Sequence, residues 1–392
     1  MIRKNRLFTP GPTPLLPAAQ MAIASYGAHH RTAEFRALFT RVLADVKEFI
    51  GTKNEVLVLT SSGTGFMEAS VSNLTSPGDR VLVLTAGKFG ERWVSLVKAF
   101  GCDVETVTAP YGETFSLDEV RRKLTPEIRC VYVQATESST GVRHDLEGIA
   151  KLVRALPDTS SDTLLVVDAI TGLGTTRLDV DGWGIDIILG GSQKALMIPP
   201  GLAYGAISER AWQRMERTKS PRYYFDLRRE RKAAAKAETA STPATALFAG
   251  LAAALDYVRQ MGDGNLAAGR DALIANAELC AAMTRAAVEA LGLKLFAPHS
   301  PAAALTAVAA PTGVSSTDIC KRFREQFGAV VANGNAEMKG QLFRIAHIGY
   351  YDYLDTVGVL AALEHVIAEV TGKAVEFGCA VRAAQEVYAK VR

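Results

Sequence analysis

Lys194 is the residue whose place in this sequence most invites chemistry. It follows the apolar run Asp186-Ile187-Ile188-Leu189-Gly190-Gly191, with only Ser192 and Gln193 between. Strand-like runs reject charge, so such a lysine either snorkels to water at a strand end or works inside the protein. Taken out of water, it loses its proton more easily, and the neutral amine can attack an aldehyde to form a Schiff base. Upstream, Leu164-Leu165-Val166-Val167-Asp168 is a second apolar run, and it ends in a carboxylate. An acid there could bind a metal, a ribose hydroxyl or a protonated ring nitrogen. Paired with a Schiff-base lysine, the ring-nitrogen role is the specific one. An ionised Asp168 would keep a pyridinium protonated, the state that makes pyridoxal 5'-phosphate an electron sink.

Three further segments belong with this pair. Thr60-Ser61-Ser62-Gly63-Thr64-Gly65-Phe66-Met67-Glu68 reads as a strand entering a small, hydroxyl-rich turn and then a helix. Free amides at the helix start plus hydroxyls make a phosphate cradle, although Ser and Thr also favour ordinary N-caps. The third glycine of a Rossmann pattern is missing, and no Gly-Lys-Ser/Thr follows to make a P-loop. Phe89, in Ala86-Gly87-Lys88-Phe89-Gly90-Glu91-Arg92-Trp93, is a flat side chain just after a strand; it could stack on a cofactor ring or belong to the core. Arg344 lies inside the apolar stretch Phe343–Gly349, where its fork suits a carboxylate or an interdomain salt bridge.

The elements that must position these residues alternate. β-branched runs at Glu55–Thr60, Arg80–Thr85, Asp103–Val107, Arg129–Gln134, Thr163–Asp168 and Ile185–Leu189 are separated by helical stretches or loops. That alternation predicts a mostly parallel sheet covered by helices, with ligands at the carboxyl ends of its strands. Gly201–Ser208 is a short strand of either direction. Helices are predicted over Thr245–Met261, with a break at Asp263-Gly264, and over Leu266–Leu291. Strands at Ala303–Ala309, Ala329–Val331 and Gln341–His347, with helices at Thr317–Phe327, Tyr353–Thr371 and Ala374–Val391, form a smaller α+β layer. The expected division is an N-terminal segment over 1–20, a large domain over 21–260 and a small C-terminal domain over 261–392.

Composition narrows the function classes. With 392 residues, 48% of them hydrophobic and a net charge of +3, the chain is globular and gives no argument for a nucleic-acid or membrane partner. The Arg214–Lys236 stretch is basic, but Glu216, Asp226 and Glu230 dilute it, so a solvated face or site rim is expected. The five scattered cysteines fit a reducing compartment, and no apolar run is long enough to span a bilayer, so a cytoplasmic protein is expected. His29 and His30 are adjacent and the other histidines isolated, so no metal is expected.

Taken in order, these motifs resemble the class V aminotransferases of fold-type I, closest to the alanine–glyoxylate and serine–pyruvate (serine–glyoxylate) group. Thr9-Pro10-Gly11-Pro12-Thr13-Pro14 is similar to that group's opening, where the chain crosses the substrate site at Gly11. His30-Arg31 and Glu34-Phe35 are similar to its next characteristic stretch. The resemblance implies that Thr64, Gly65 and Phe66 contact the cofactor, the first two at its phosphate, and that Phe89 stacks on the ring. Ser139, in Glu137-Ser138-Ser139-Thr140-Gly141-Val142, would lie by the pyridoxal hydroxyl. Asp168 would pair with the ring nitrogen, Gln193 approach the phosphate, and Lys194 carry the Schiff base. Thr242 would reach the phosphate of a neighbouring subunit, which implies a homodimer. Arg344 would bind the substrate α-carboxylate. Thr239 stands where family members often have an aromatic residue, and Phe89 where some have tryptophan.

The implied activity is ping-pong transamination from alanine, serine or aspartate to a small 2-oxo acid such as glyoxylate or pyruvate. Rival readings are a lyase or desulfurase, an aminophosphonate transaminase, and a non-catalytic subunit on this scaffold. A desulfurase needs a mobile cysteine near Arg344, and the residues after it, Ile345-Ala346-His347-Ile348-Gly349, contain none. A non-catalytic subunit would be expected to have lost Lys194 or Asp168.

Overall fold

The computed structural model describes residues 3–156 and 162–391. Its strands are β1 (Arg6–Phe8), β2 (Glu55–Ser61), β3 (Arg80–Thr85), β4 (Asp103–Thr108), β5 (Cys130–Gln134), the short pair β6 (Thr136–Glu137) and β7 (Val142–Arg143), β8 (Leu164–Asp168), β9 (Ile187–Gly191), β10 (Gly201–Ile207), β11 (Leu305–Ala309), β12 (Ala329–Asn333) and β13 (Leu342–Ala346). Seven of them form one sheet in the order β2-β10-β9-β8-β5-β3-β4. Neighbouring strands pair in parallel from β9 to β4, while β10 pairs antiparallel with both β9 and β2. The double reversal leaves β2 running with the rest, so the carboxyl ends of six strands share one edge. β5, β8 and β9 are buried along their whole length, as strands covered on both faces must be.

The helices are α1 (Pro17–Ser25), α2 (Ala33–Ile50), α3 (Gly63–Leu74), α4 (Lys88–Ala99), α5 (Leu117–Lys123), α6 (Leu146–Arg154), α7 (Glu209–Met215), α8 (Leu227–Ala234), α9 (Thr245–Met261), α10 (Leu266–Ala290), α11 (Ser316–Phe327), α12 (Tyr353–Thr371) and α13 (Cys379–Ala389). Their limits follow local chemistry. Thr32 caps α2 by accepting from the Phe35 amide, and Gly51, at φ 77°, closes it in the left-handed region. One face of the sheet is filled by Phe35, Phe39 and Phe248 from α2 and α9, and the other by Phe66, Trp93 and Tyr132. A separate core holds the four-stranded sheet β1-β12-β13-β11, with Phe323, Phe343 and Leu363 buried in it. α10 packs against α2 and α9 on one side and α12 and α13 on the other, so one long helix joins the two cores.

Three features depart from the sequence reading. The N-terminal segment contributes a strand: β1 pairs in parallel with β12, so residues 6–8 belong to the second sheet. The last helix starts at Cys379 rather than Ala374. Glu364 on α12 accepts from the Gly378 and Ala380 amides, so a buried carboxylate sets where α13 begins. The basic Arg214–Lys236 stretch is largely structural. Arg222 donates to the carbonyls of Ser72 and Ser220, and Arg214 to Leu74 O and Asp79, pinning this segment to the C-terminal end of α3.

Candidate active site

The carboxyl edge of the seven-stranded sheet collects the candidate residues. Asp168 ends β8, and Lys194 follows β9 after two residues, Ser192 and Gln193. Both are almost fully buried, at 5% and 8% exposure, so each charge depends on the other for compensation. Burial pushes the Lys194 amine down to about 8; Asp168 opposes the shift, and Arg344 and Arg92 add to it. Burial pushes the Asp168 carboxyl up to about 6, with Glu137 adding to the rise and the Ile170 amide, Lys194 and Arg92 opposing it. One carboxylate oxygen accepts from the Ile170 amide at 2.8 Å, which fixes the group and leaves its second oxygen for a donor in the cleft.

The N-terminal segment crosses over the lysine. Pro10 O accepts from Lys194 Nζ, and Thr13 Oγ1 donates to Lys194 O. Gly11, at φ 149°, occupies a region that favours glycine, and a Cβ there would run into the Lys194 amine. The sequence therefore places glycine where the chain must touch its own lysine.

The helix starts at this edge differ in a way that matters for an anion. Ser62 stands at the N-cap of α3 but makes no side-chain cap bond. Among the described residues the Gly65 amide alone is engaged there, with Ser62 O at 2.9 Å, which leaves the other first-turn amides open to a phosphate. At Gly65 a Cβ would meet Ser61 and Phe225, so the cradle is shaped to admit backbone only. Phe66 lies wholly in the core, where its ring crowds Gly205, so only its main chain can face a ligand. Next to the turn, Gln193 Oε1 is a buried acceptor with no partner among the described residues.

Phe89, in the first turn of α4, is only half-buried, and the Arg92 guanidinium stacks 4.7 Å from its ring centre. Arg92 also donates to Thr64 Oγ1 at 3.1 Å. Neither Arg92 nor Glu137 stood out in the sequence. The i, i+3 spacing from Phe89 was the signal for Arg92. The Ser139 hydroxyl donates to Glu137 Oε1 and accepts from the Lys88 amide.

Arg344, in β13, is 5% exposed. Its Nη1 donates to Ser138 O at 2.8 Å, and its Nη2 to Asn333 O and Asn335 Oδ1. The Nε is buried and unpartnered among the described residues. The guanidinium is thus hydrogen-bonded only to neutral acceptors among the described residues, with the buried Glu137 carboxylate close enough to act on its charge. Thr242 lies in a recess with Thr60, Tyr224, Phe225 and Ser241 beside the edge strand β2. It makes no contact with Lys194 or Asp168 among the described residues. Thr239 donates to Ser241 O at 2.7 Å, within its own loop.

An open helix start, a carboxylate with a free oxygen and a buried amine fit a phosphorylated pyridine aldehyde. Among the described residues, no three His, Cys, Asp or Glu side chains converge as a metal would require, and no helix is long and apolar enough to cross a membrane.

Comparison with known proteins gives an independent finding. Residues 17–343 match the family described as Aminotransferase class-V. The chain is 37% identical over 388 residues to a protein named soluble hydrogenase, small subunit, from Synechococcus sp., with 98% of each chain covered. It is 33% identical over 395 residues to the L-aspartate--glyoxylate aminotransferase of Paracoccus denitrificans, covering 99% of this chain and 97% of that one. The crystal structure of an aspartate aminotransferase from Thermus thermophilus superposes with a TM-score of 0.85 at 34% identity, over 93% of this chain and all of that one.

Proposed function

This chain is a pyridoxal-phosphate-dependent enzyme of the class V aminotransferase family, and we propose on that premise that it moves an amino group from alanine, serine or aspartate to glyoxylate or pyruvate. The observation that carries the reading is the buried pair of Lys194 and Asp168 beside the open start of α3. When bound, pyridoxal phosphate supplies an electrophilic carbonyl carbon and a ring that draws off negative charge from the substrate α-carbon.

The residues divide the remaining work. The open amides at the start of α3, that of Thr64 among them, would hold the phosphate together with the side-chain NH2 of Gln193, while Gly65 would let it approach the backbone and Phe66 would meet it through its main chain alone. Phe89 would support the ring, Ser139 would stand near its hydroxyl, and Asp168 would accept from its nitrogen. Arg344 orients the substrate carboxylate, and the fixed orientation supplies much of the acceleration. Gly11 leaves room for the substrate beside Lys194. The neutral Nζ of Lys194 takes the α-proton and returns it to the carbon that keeps the amino group. Water releases the first oxo acid, and a second oxo acid takes up the amino group by the same steps in reverse, giving that water back.

A desulfurase reading lacks its nucleophile. Cys320, the cysteine facing Arg344, sits in α11 with its thiol pushed up to about 11 by burial, far from a reactive thiolate. The name of the Synechococcus relative points to a different chemistry, but the Lys194–Asp168 pair favours transamination. We place the chain in the cytoplasm as a homodimer. Five free cysteines support the compartment. The apolar side chains exposed at Met21, Tyr223 and Tyr224, the last beside the Thr242 recess, support a subunit interface.

The test is a visible absorption spectrum of the protein loaded with pyridoxal phosphate, taken with single amino acids and then single oxo acids. A band that bleaches with one donor and returns with one acceptor identifies both substrates. A band that no amino acid bleaches refutes transamination, and no band at all refutes the role of Lys194.

A further inference from the structure

Glu137 is wholly buried and has no part in the scheme above. Its Oε2 accepts from the Phe89 and Gly90 amides, each at 3.0 Å. Its Oε1 accepts from the Ser139 amide at 3.1 Å and the Ser139 hydroxyl at 2.5 Å. The same hydroxyl accepts from the Lys88 amide at 3.1 Å. The first three amides of α4 are thus capped by a turn lying 47 to 51 residues further along the chain. The helix has no cap of its own, because its N-cap residue is Gly87. Gly87 is required for the approach: a Cβ there would sit 2.5 Å from Ser139 Oγ and 2.6 Å from Glu137 Cδ.

Three backbone amides and the Ser139 hydroxyl donate to Glu137, so the charged carboxylate is the form that matches all four partners. A protonated acid would turn one oxygen into a donor facing donors. Burial pushes the carboxyl upward, and the four donors oppose it. The positive end of α4 and the nearby Arg344 charge compensate the anion.

One residue along, Ser138 O accepts from Arg344 Nη1. The turn 137–139 therefore touches three candidate groups: Phe89 through the helix start, Ser139 through its hydroxyl, and Arg344 through a carbonyl. We propose that Glu137 is the positioning residue that locks Phe89, Ser139 and Arg344 into one geometry, fixing the cofactor ring and the substrate carboxylate relative to each other. The proposal rests on the transaminase reading, but the cap itself can be tested without it.

The experiment compares wild type with Glu137→Gln, which keeps the size and places an amide NH2 against the helix amides. In the apoprotein, hydrogen exchange at Lys88, Phe89 and Gly90 should quicken by about tenfold or more, the loss of at least one buried hydrogen bond. With pyridoxal phosphate added, affinity should fall about tenfold, and the circular dichroism of the visible band should change because the ring is no longer held at one angle. The amino-acid KM should rise as Arg344 loses its register. Gly87→Ala pushes the carboxylate from the other side and should produce the same signature if Glu137→Gln does not fold. Val258→Ala, a cavity in the core under α9, is the control for lost stability alone and should leave the dichroism unchanged.

Unchanged exchange, affinity and dichroism in a folded Glu137→Gln overturn the proposal. Altered dichroism of similar size in Val258→Ala also overturns it, since general loosening would then suffice. A wild type that gives no visible band refutes the transaminase reading, while exchange in the apoprotein still decides the cap.

Discussion

The proposed reaction sets Lys194 two opposed requirements: it must lose its proton to react, and it must hold its place in a buried site. Burial supplies the first, bringing the amine down to about 8, and Pro10 O together with Asp168 supplies the second. Below that value the neutral fraction falls tenfold per pH unit. The rate at which the apoprotein takes up pyridoxal phosphate should therefore climb from pH 6 to pH 8 and level off above; a rate flat across this range would remove the free amine from the step. Asp168 titrates in the opposite sense. Its folded carboxyl lies at about 6, above its ordinary value, so it takes up a proton as the solution is acidified through pH 6 and loses its hold on a charged ring nitrogen. Cofactor affinity should weaken below pH 6 in wild type and lose that dependence in Asp168→Asn, as read by fluorescence titration. Arg344→Ala should raise the KM for amino acids by about 10- to 200-fold, the loss of one charge-assisted pair worth roughly 1.5–3 kcal/mol. An unchanged KM would take Arg344 out of carboxylate binding.

At the scale of elements, what counts is which helix starts are closed and which are open. α3 and α4 both start at the carboxyl edge of the sheet, yet Glu137 and Ser139 cap α4 while α3 lacks a side-chain cap. An anion is therefore directed to α3. The sheet beneath is packed to contact. Gly205 in β10 has Ile188 O and the Phe66 ring at 2.6 and 2.7 Å from where a Cβ would lie. Gly205→Ala should cost about 1–3 kcal/mol by overpacking and lower Tm in thermal unfolding. A Tm equal to wild type would mean that the strand and α3 can separate freely.

At the scale of the whole molecule, the two cores meet across the site. Lys88, beside Phe89, pairs with Glu337 at 2.7 Å, and Tyr111 donates to the same carboxylate at 2.8 Å. Glu337 lies in the short helical turn after Asn335, which holds Arg344. The helix that carries Phe89 and the strand that carries Arg344 are therefore tied by one surface ion pair as well as through the turn at Glu137. Across the proposed dimer, Thr242 would complete the partner's phosphate site. Mixing Lys194→Ala with Thr242→Val subunits should then restore one complete site per heterodimer, seen as recovery of tight cofactor binding. No recovery would confine Thr242 to its own chain.

The sequence by itself determined the alternating elements, the covered parallel sheet, and the two charges placed where apolar strands end, Asp168 and Lys194. These are readable because a strand's apolar run and a stranded charge are local facts about adjacent residues. Long helices such as Thr245–Met261 were legible for the same reason, their apolar positions recurring within one segment. The strand β1, the late start of α13 and the anchoring of the Arg222 side chain to α3 were decided only by tertiary structure. So were the capping by Glu137 and the overlay of Arg92 on Phe89. Each depends on a partner remote in sequence or on the fold around it. A glutamate or arginine acquires its meaning from the donors and acceptors that surround it when buried, and spacing along the chain does not carry that information.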